Sequence, residues 1–129
     1  MKLALLPFAL PFLLVVPSHA QDAEAGANVF KKCTACHAVG ENARAKIGPP
    51  LNGVVGHPAG SVEGFRYSEA LLGAAITWDE ESLSAFLKAP RAFIPGTKMS
   101  FAGLKTDAEI ANMIAHLKTF HAEGKPVAP

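Results

Sequence analysis

Apolar residues recur along most of this chain at helical rather than strand spacing. Residues 22 to about 32 predict a first helix, with Ala23, Gly26, Ala27 and Phe30 along one face. Asp22 and Glu24 stand in its first turn and Lys31 and Lys32 in its last, as the helix dipole prefers. Gly26 on that face would let another helix approach closely. Residues 69–74 predict a short helix. Thr77-Trp78-Asp79-Glu80 reads as a capping box, opening a helix that runs through Leu83, Phe86 and Leu87 and stops before Pro90. Thr106-Asp107-Ala108-Glu109 is a second box. It starts the most regular helix, with Ile110, Met113, Ile114, Leu117 and Phe120 on one face and His116 and His121 on or near the solvated side. Residues 124–129 read as a frayed tail. No strand pattern interrupts this series, so the expected class is all-α, with three to five helices and long loops.

Two stretches do not fit the helical pattern. Residues 3–16 form an apolar run behind Lys2, broken by Pro7 and Pro11 and ending at the small-x-small sequence Ser18-His19-Ala20. The run is shorter than the ~20 apolar residues a spanning helix needs. It predicts a cleaved secretory leader over residues 1–20 and one small domain over 21–129. The second stretch is a run of Gly and Pro from Gly40 to Gly64, which excludes regular structure. Yet Ile47, Leu51, Val54 and Val55 make it too apolar for a disordered linker. Such a loop would wrap on something large and flat, and a buried prosthetic group would supply the core it lacks.

Charge narrows the partners. Without Lys2, eleven basic residues balance eleven acidic ones. A near-neutral domain argues against nucleic acid and against a strongly cationic membrane-surface protein.

The chemistry concentrates in Cys33-Thr34-Ala35-Cys36-His37. Two thiols three positions apart with a histidine directly after read as covalent haem attachment of the c type. Two thioethers hold the porphyrin edge, and the next imidazole then reaches the iron. A dithiol oxidoreductase should show a neighbouring strand–helix–strand pattern, which is missing here. Structural zinc needs about four ligands, so histidines would have to join the two cysteines, and only His116 and His121 are paired at a zinc-like spacing. A disulfide across the short ring stays open for an exported chain. For a second axial ligand, Met113 sits inside the apolar face of the last helix and reads as core. Met99 follows the Pro95-Gly96 turn, where a thioether can be aimed inward, and a His/Met pair raises the haem potential.

Taken together, the chain resembles the class I c-type cytochromes, including mitochondrial cytochrome c and its soluble bacterial electron-carrier relatives. The resemblance runs in order through Phe30 to His37, Gly48-Pro49-Pro50-Leu51-Asn52-Gly53, Gly64-Phe65-Arg66-Tyr67-Ser68, Thr77-Trp78 and Ile94-Pro95-Gly96-Thr97-Lys98-Met99. It implies one haem c on Cys33 and Cys36, with His37 and Met99 as axial ligands. It also implies that the Pro49 carbonyl accepts a hydrogen bond from His37 Nδ1–H, and that Tyr67 and Trp78 donate to a buried propionate. The first and last helices would cross, with Gly26 and Phe30 against Leu117 and Phe120.

Three positions depart from the resemblance. His57 follows Gly56 where an arginine near a propionate is usual, which would make the propionate charge pH-sensitive; an exposed loop histidine is the alternative. Phe86 replaces a common tyrosine and Leu71 an asparagine, so the pocket should be drier. An iron with both axial positions filled exchanges single electrons rather than binding substrate. The expected function is a soluble, periplasmic, monomeric electron carrier, not an enzyme. It would run between a cytochrome bc complex and a terminal oxidase or photosynthetic reaction centre. Lys32, Arg44, Lys46, Arg91, Lys98 and Lys105 would ring the docking edge, with scattered solvated charge as the alternative. The competing classes are a ligand-binding or peroxide-reducing haem protein, should Met99 be labile, and a haem-free dithiol protein.

Overall fold

The computed structural model describes Pro11, Phe12 and residues 22–126. The expected leader over 1–20 lies, apart from those two residues, outside the described part, as do residues 127–129. Five helices follow in order: α1 Ala23–Phe30, α2 Glu69–Ala74, α3 Glu80–Lys88, α4 Pro90–Phe93 and α5 Asp107–Leu117. The described residues hold no strand, only isolated bridges between Pro58 and Thr77 and between Phe120 and Pro126.

α1 begins where Asp22 accepts hydrogen bonds from the amides of Glu24 and Ala25, filling two donors that a helix start leaves free. Its amide in turn donates to Asn112 Oδ1 at 3.0 Å, tying the start of α1 to α5. Gly26 and Phe30 are buried as the spacing predicts, whereas Ala27 is exposed and Val29 packs on the core instead. Lys31 and Lys32 fall at and just beyond the C-cap, not inside the last turn.

α5 keeps the expected capping box: Thr106 accepts from the Glu109 amide at 3.1 Å while Glu109 reaches back to the Thr106 amide. The box expected at Thr77 sits two residues later. Asp79 is the N-cap, accepting from the Ser82 amide at 2.7 Å while Ser82 Oγ accepts from the Asp79 amide at 3.0 Å. Thr77 and Trp78 are already committed to the preceding loop: Trp78 donates to the His57 carbonyl at 2.9 Å and accepts from the Gly56 amide at 2.6 Å. α4 restarts the chain at Pro90, which needs no amide partner in a first turn.

α1 and α5 cross and, with α3, enclose a core of Phe30, Trp78, Leu83, Phe86, Ile94, Leu104, Ile110, Met113, Ile114 and Leu117. Met113 is 1% exposed, a core residue as its place in the apolar stripe predicts. His116 is not on the solvated side. It lies half-buried between Phe30 and Phe120, with ring centroids 5.3 and 5.2 Å away.

Among the described residues the tail is not frayed either. His121 donates to the Lys125 carbonyl at 3.0 Å, and buried Gly124 takes a left-handed φ of 76° against Gly40 and Asn52. The glycine-rich loop is stitched down in the same way. Asn52 accepts from the Gly40 amide at 2.8 Å and donates to its carbonyl at 2.9 Å, and Leu51 donates to Ala38 at 3.0 Å.

Candidate functional site

The end of α1 delivers the Cys33–His37 stretch into a turn. The amides of Cys36 and His37 both donate to the Cys33 carbonyl, at 3.0 and 2.8 Å. This places both thiols half-buried, neither in a disulfide. Burial pushes the Cys33 thiol up from its ordinary range, the neighbouring Cys36 adds to this, and Lys32 opposes it.

His37 Nδ1 lies 2.7 Å from the Pro49 carbonyl oxygen. A carbonyl only accepts, so Nδ1 carries the proton and the lone pair of a neutral ring is at Nε2. Burial pulls the imidazole's pKa down, with the Pro49 bond opposing it, so the ring favours the neutral form a metal requires. Gly48 makes the approach possible: a Cβ there would stand 2.7 Å from His37 Nδ1 and 2.8 Å from Nε2. The Gly48 amide donates to the Cys36 carbonyl at 2.9 Å, clamping loop and cysteine turn together.

Met99 comes from the segment between α4 and α5. A turn closed by the Thr97 amide on the Ile94 carbonyl, with Gly96 at φ 88°, turns the chain back. Met99 is left half-buried against the core, and His37 and Met99 sit close together. Gly96 and Lys98, together with residues 66–70, line a cavity of about 580 Å³. Tyr67 lines it. Its hydroxyl accepts from the Val62 amide at 2.9 Å and keeps its own proton to donate. Burial raises the Tyr67 pKa, with the Val62 bond opposing it. Trp78 does not line this cavity; it is buried in the core, 7% exposed, with its ring 5.0 Å from Phe86 and 6.5 Å from Phe93.

Some functional geometry was not legible from residue types. Arg66 shares the cavity wall with Lys98, adding a second cation. Asn52 clamps the loop that carries Pro49. Nothing local marks either residue, since both depend on contacts across the loop. His57 is exposed, and it lines a smaller cavity against the end of α5. The expected basic residues are all exposed, but Lys32 is paired with Glu109 at 2.8 Å.

These residues fit a haem. A neutral imidazole with a fixed free lone pair, a half-buried thioether and two thiols on one turn suit an iron porphyrin. The cavity with Tyr67, Arg66 and Lys98, lined by none of those four residues, offers hydroxyl and cationic donors of the kind carboxylate arms take. The comparisons decide the family. Residues 23–121 match the Cytochrome c family.

The chain belongs to the cytochrome c family.

It is similar to a cytochrome c2 of Blastochloris viridis, at 47% identity over 85% of this chain and 87% of that protein. A cytochrome c2 of Rhodoplanes tepidamans is 50% identical over 81% of this chain and 98% of its own length. A cytochrome c-550 of Nitrobacter winogradskyi is 47% identical over 81% and 95%. Among solved structures, cytochrome cH from Methylobacterium extorquens matches with a TM-score of 0.71 and 41% identity, over 76% of this chain and 98% of that one. As a class I c-type cytochrome, the chain carries one haem c attached through Cys33 and Cys36. It is an electron-transfer protein rather than an enzyme.

Proposed function

We propose that His37 and Met99 are the axial ligands of this haem. We further propose that the protein is a soluble, monomeric periplasmic carrier, released after removal of residues 1–20. The bound group supplies a one-electron couple at iron. The chain's own contribution is rigidity, because two protein ligands leave no open position for substrate. The observation that carries this reading is the 2.7 Å bond from His37 Nδ1 to Pro49, which orients Nε2 before any metal arrives. Tyr67 would donate its free proton to a propionate, with Trp78 as a second donor and Arg66 and Lys98 offsetting the negative charge. Relatives named cytochrome c2 and c-550 support an electron carrier; its partners would be a cytochrome bc complex and a terminal oxidase or photosynthetic reaction centre. Among the described residues no helix is long and apolar enough to cross a membrane.

The deciding experiment is the absorption spectrum of protein expressed in a periplasm, oxidised and reduced, after acid–acetone extraction. Haem retained with a weak red thioether–iron band supports the ligand pair. Retained haem without that band removes Met99 from the iron.

A further inference from the structure

A pair of histidines lines a cavity that none of Cys33, Cys36, His37 and Met99 lines. No group of three or more His, Cys, Asp or Glu side chains able to hold a metal occurs among the described residues. His57, from the glycine-rich loop, and His121, just past α5, line one cavity of about 190 Å³. Both are exposed, and neither imidazole has a hydrogen-bond or ion-pair partner among the described residues. Their backbones are held. The His57 amide donates to Val54 at 3.2 Å and its carbonyl accepts from Trp78 at 2.9 Å. The His121 amide donates to Lys125 at 3.0 Å and its carbonyl accepts from Gly124 at 2.8 Å. The two segments are also joined directly, by the Gly53 amide on the Phe120 carbonyl at 3.2 Å. A Cβ on Gly53 would come within 2.9 Å of the Ala122 backbone.

We propose that His57 and His121 form a two-imidazole site for a borderline divalent cation of the zinc or copper class, with water completing its coordination. Imidazole nitrogen suits these ions, and two donors on braced segments lose little freedom on binding. Lys118 lines the same cavity, and its charge is offset by an ion pair with Glu80. The bound cation would tie the loop to the end of α5.

The test is a zinc(II) titration of the reduced holoprotein, followed by NMR of the individual imidazole signals. Zinc is redox-inert, so the haem does not interfere. The expected result is one zinc per chain, with the His57 and His121 signals moving together. His57→Ala and His121→Ala, both surface changes, should each weaken binding at least about tenfold. Movement of one imidazole alone, no zinc binding, or unchanged affinity in either variant would overturn the proposal.

Discussion

Gly26 of α1 packs directly on the backbone of Asn112 in α5: a methyl group at Gly26 would stand 2.6 Å from the Asn112 carbonyl carbon and 2.8 Å from His116 Cβ. Backbone cannot yield as a flexible side-chain end does, so the helices would have to move apart. Gly26→Ala should therefore destabilise the fold by about 1–3 kcal/mol, despite alanine's better helix propensity. Denaturant unfolding measures this, and unchanged stability would show that the crossing is loose.

His116 lies between Phe30 and Phe120, where burial lowers its pKa. A histidine whose folded pKa is depressed binds its proton more readily in the unfolded chain. Its contribution to stability is therefore complete above the unfolded value of about 6.5 and is lost as pH falls through the folded value. His116→Phe should flatten the fall in melting temperature on going below about pH 6.5. A parallel curve for the variant would rule out this role.

Asp79 caps α3, and the Ser82 amide and hydroxyl hold its carboxyl below the usual carboxylate range. The cap is intact above about pH 3.9 and fails as pH falls through the depressed value. Asp79→Ala should lower the melting midpoint by several degrees at pH 7. The loss should shrink in strong acid, where the parent cap is protonated too.

Met99→Ala should lower the reduction potential, remove the thioether–iron band and raise peroxidase activity, because His/Met ligation raises the potential and the thioether blocks the open side. Potentiometry of the two proteins checks this. An unchanged potential would assign the iron another ligand.

Phe86 packs on Trp78 at 5.0 Å and on Phe93 at 6.4 Å, and Leu71 packs on the same core. Neither brings a polar atom to the pocket. A crystal structure should show few ordered waters near Met99, whereas Phe86→Tyr should add one or more.

Most elements were legible in the sequence because their signals are local. The α1 face at Gly26 and Phe30, the Thr106–Glu109 box and the Cys33–His37 spacing each depend on residues within one or two turns. Misreadings arose where a local signal met a distant competitor. Thr77 looked like a cap, but Trp78 is bonded into the loop at His57, so the helix starts at Asp79. His116 looked solvated, but the crossing with α1 brings Phe30 over it. Residues 124–126 looked frayed, but Gly124 packs against Gly40 and Asn52.

The sequence by itself determined the all-α class, the haem attachment cysteines and the family, since spacing along the chain is enough for each. Only the tertiary structure gave the 2.7 Å contact between His37 Nδ1 and the Pro49 carbonyl, which the resemblance implied without a geometry. It also decided that Arg66 and Lys98 line one cavity, and that His57 and His121 line another. Those relationships join residues 12 to 64 positions apart, and packing, not local pattern, brings such residues together.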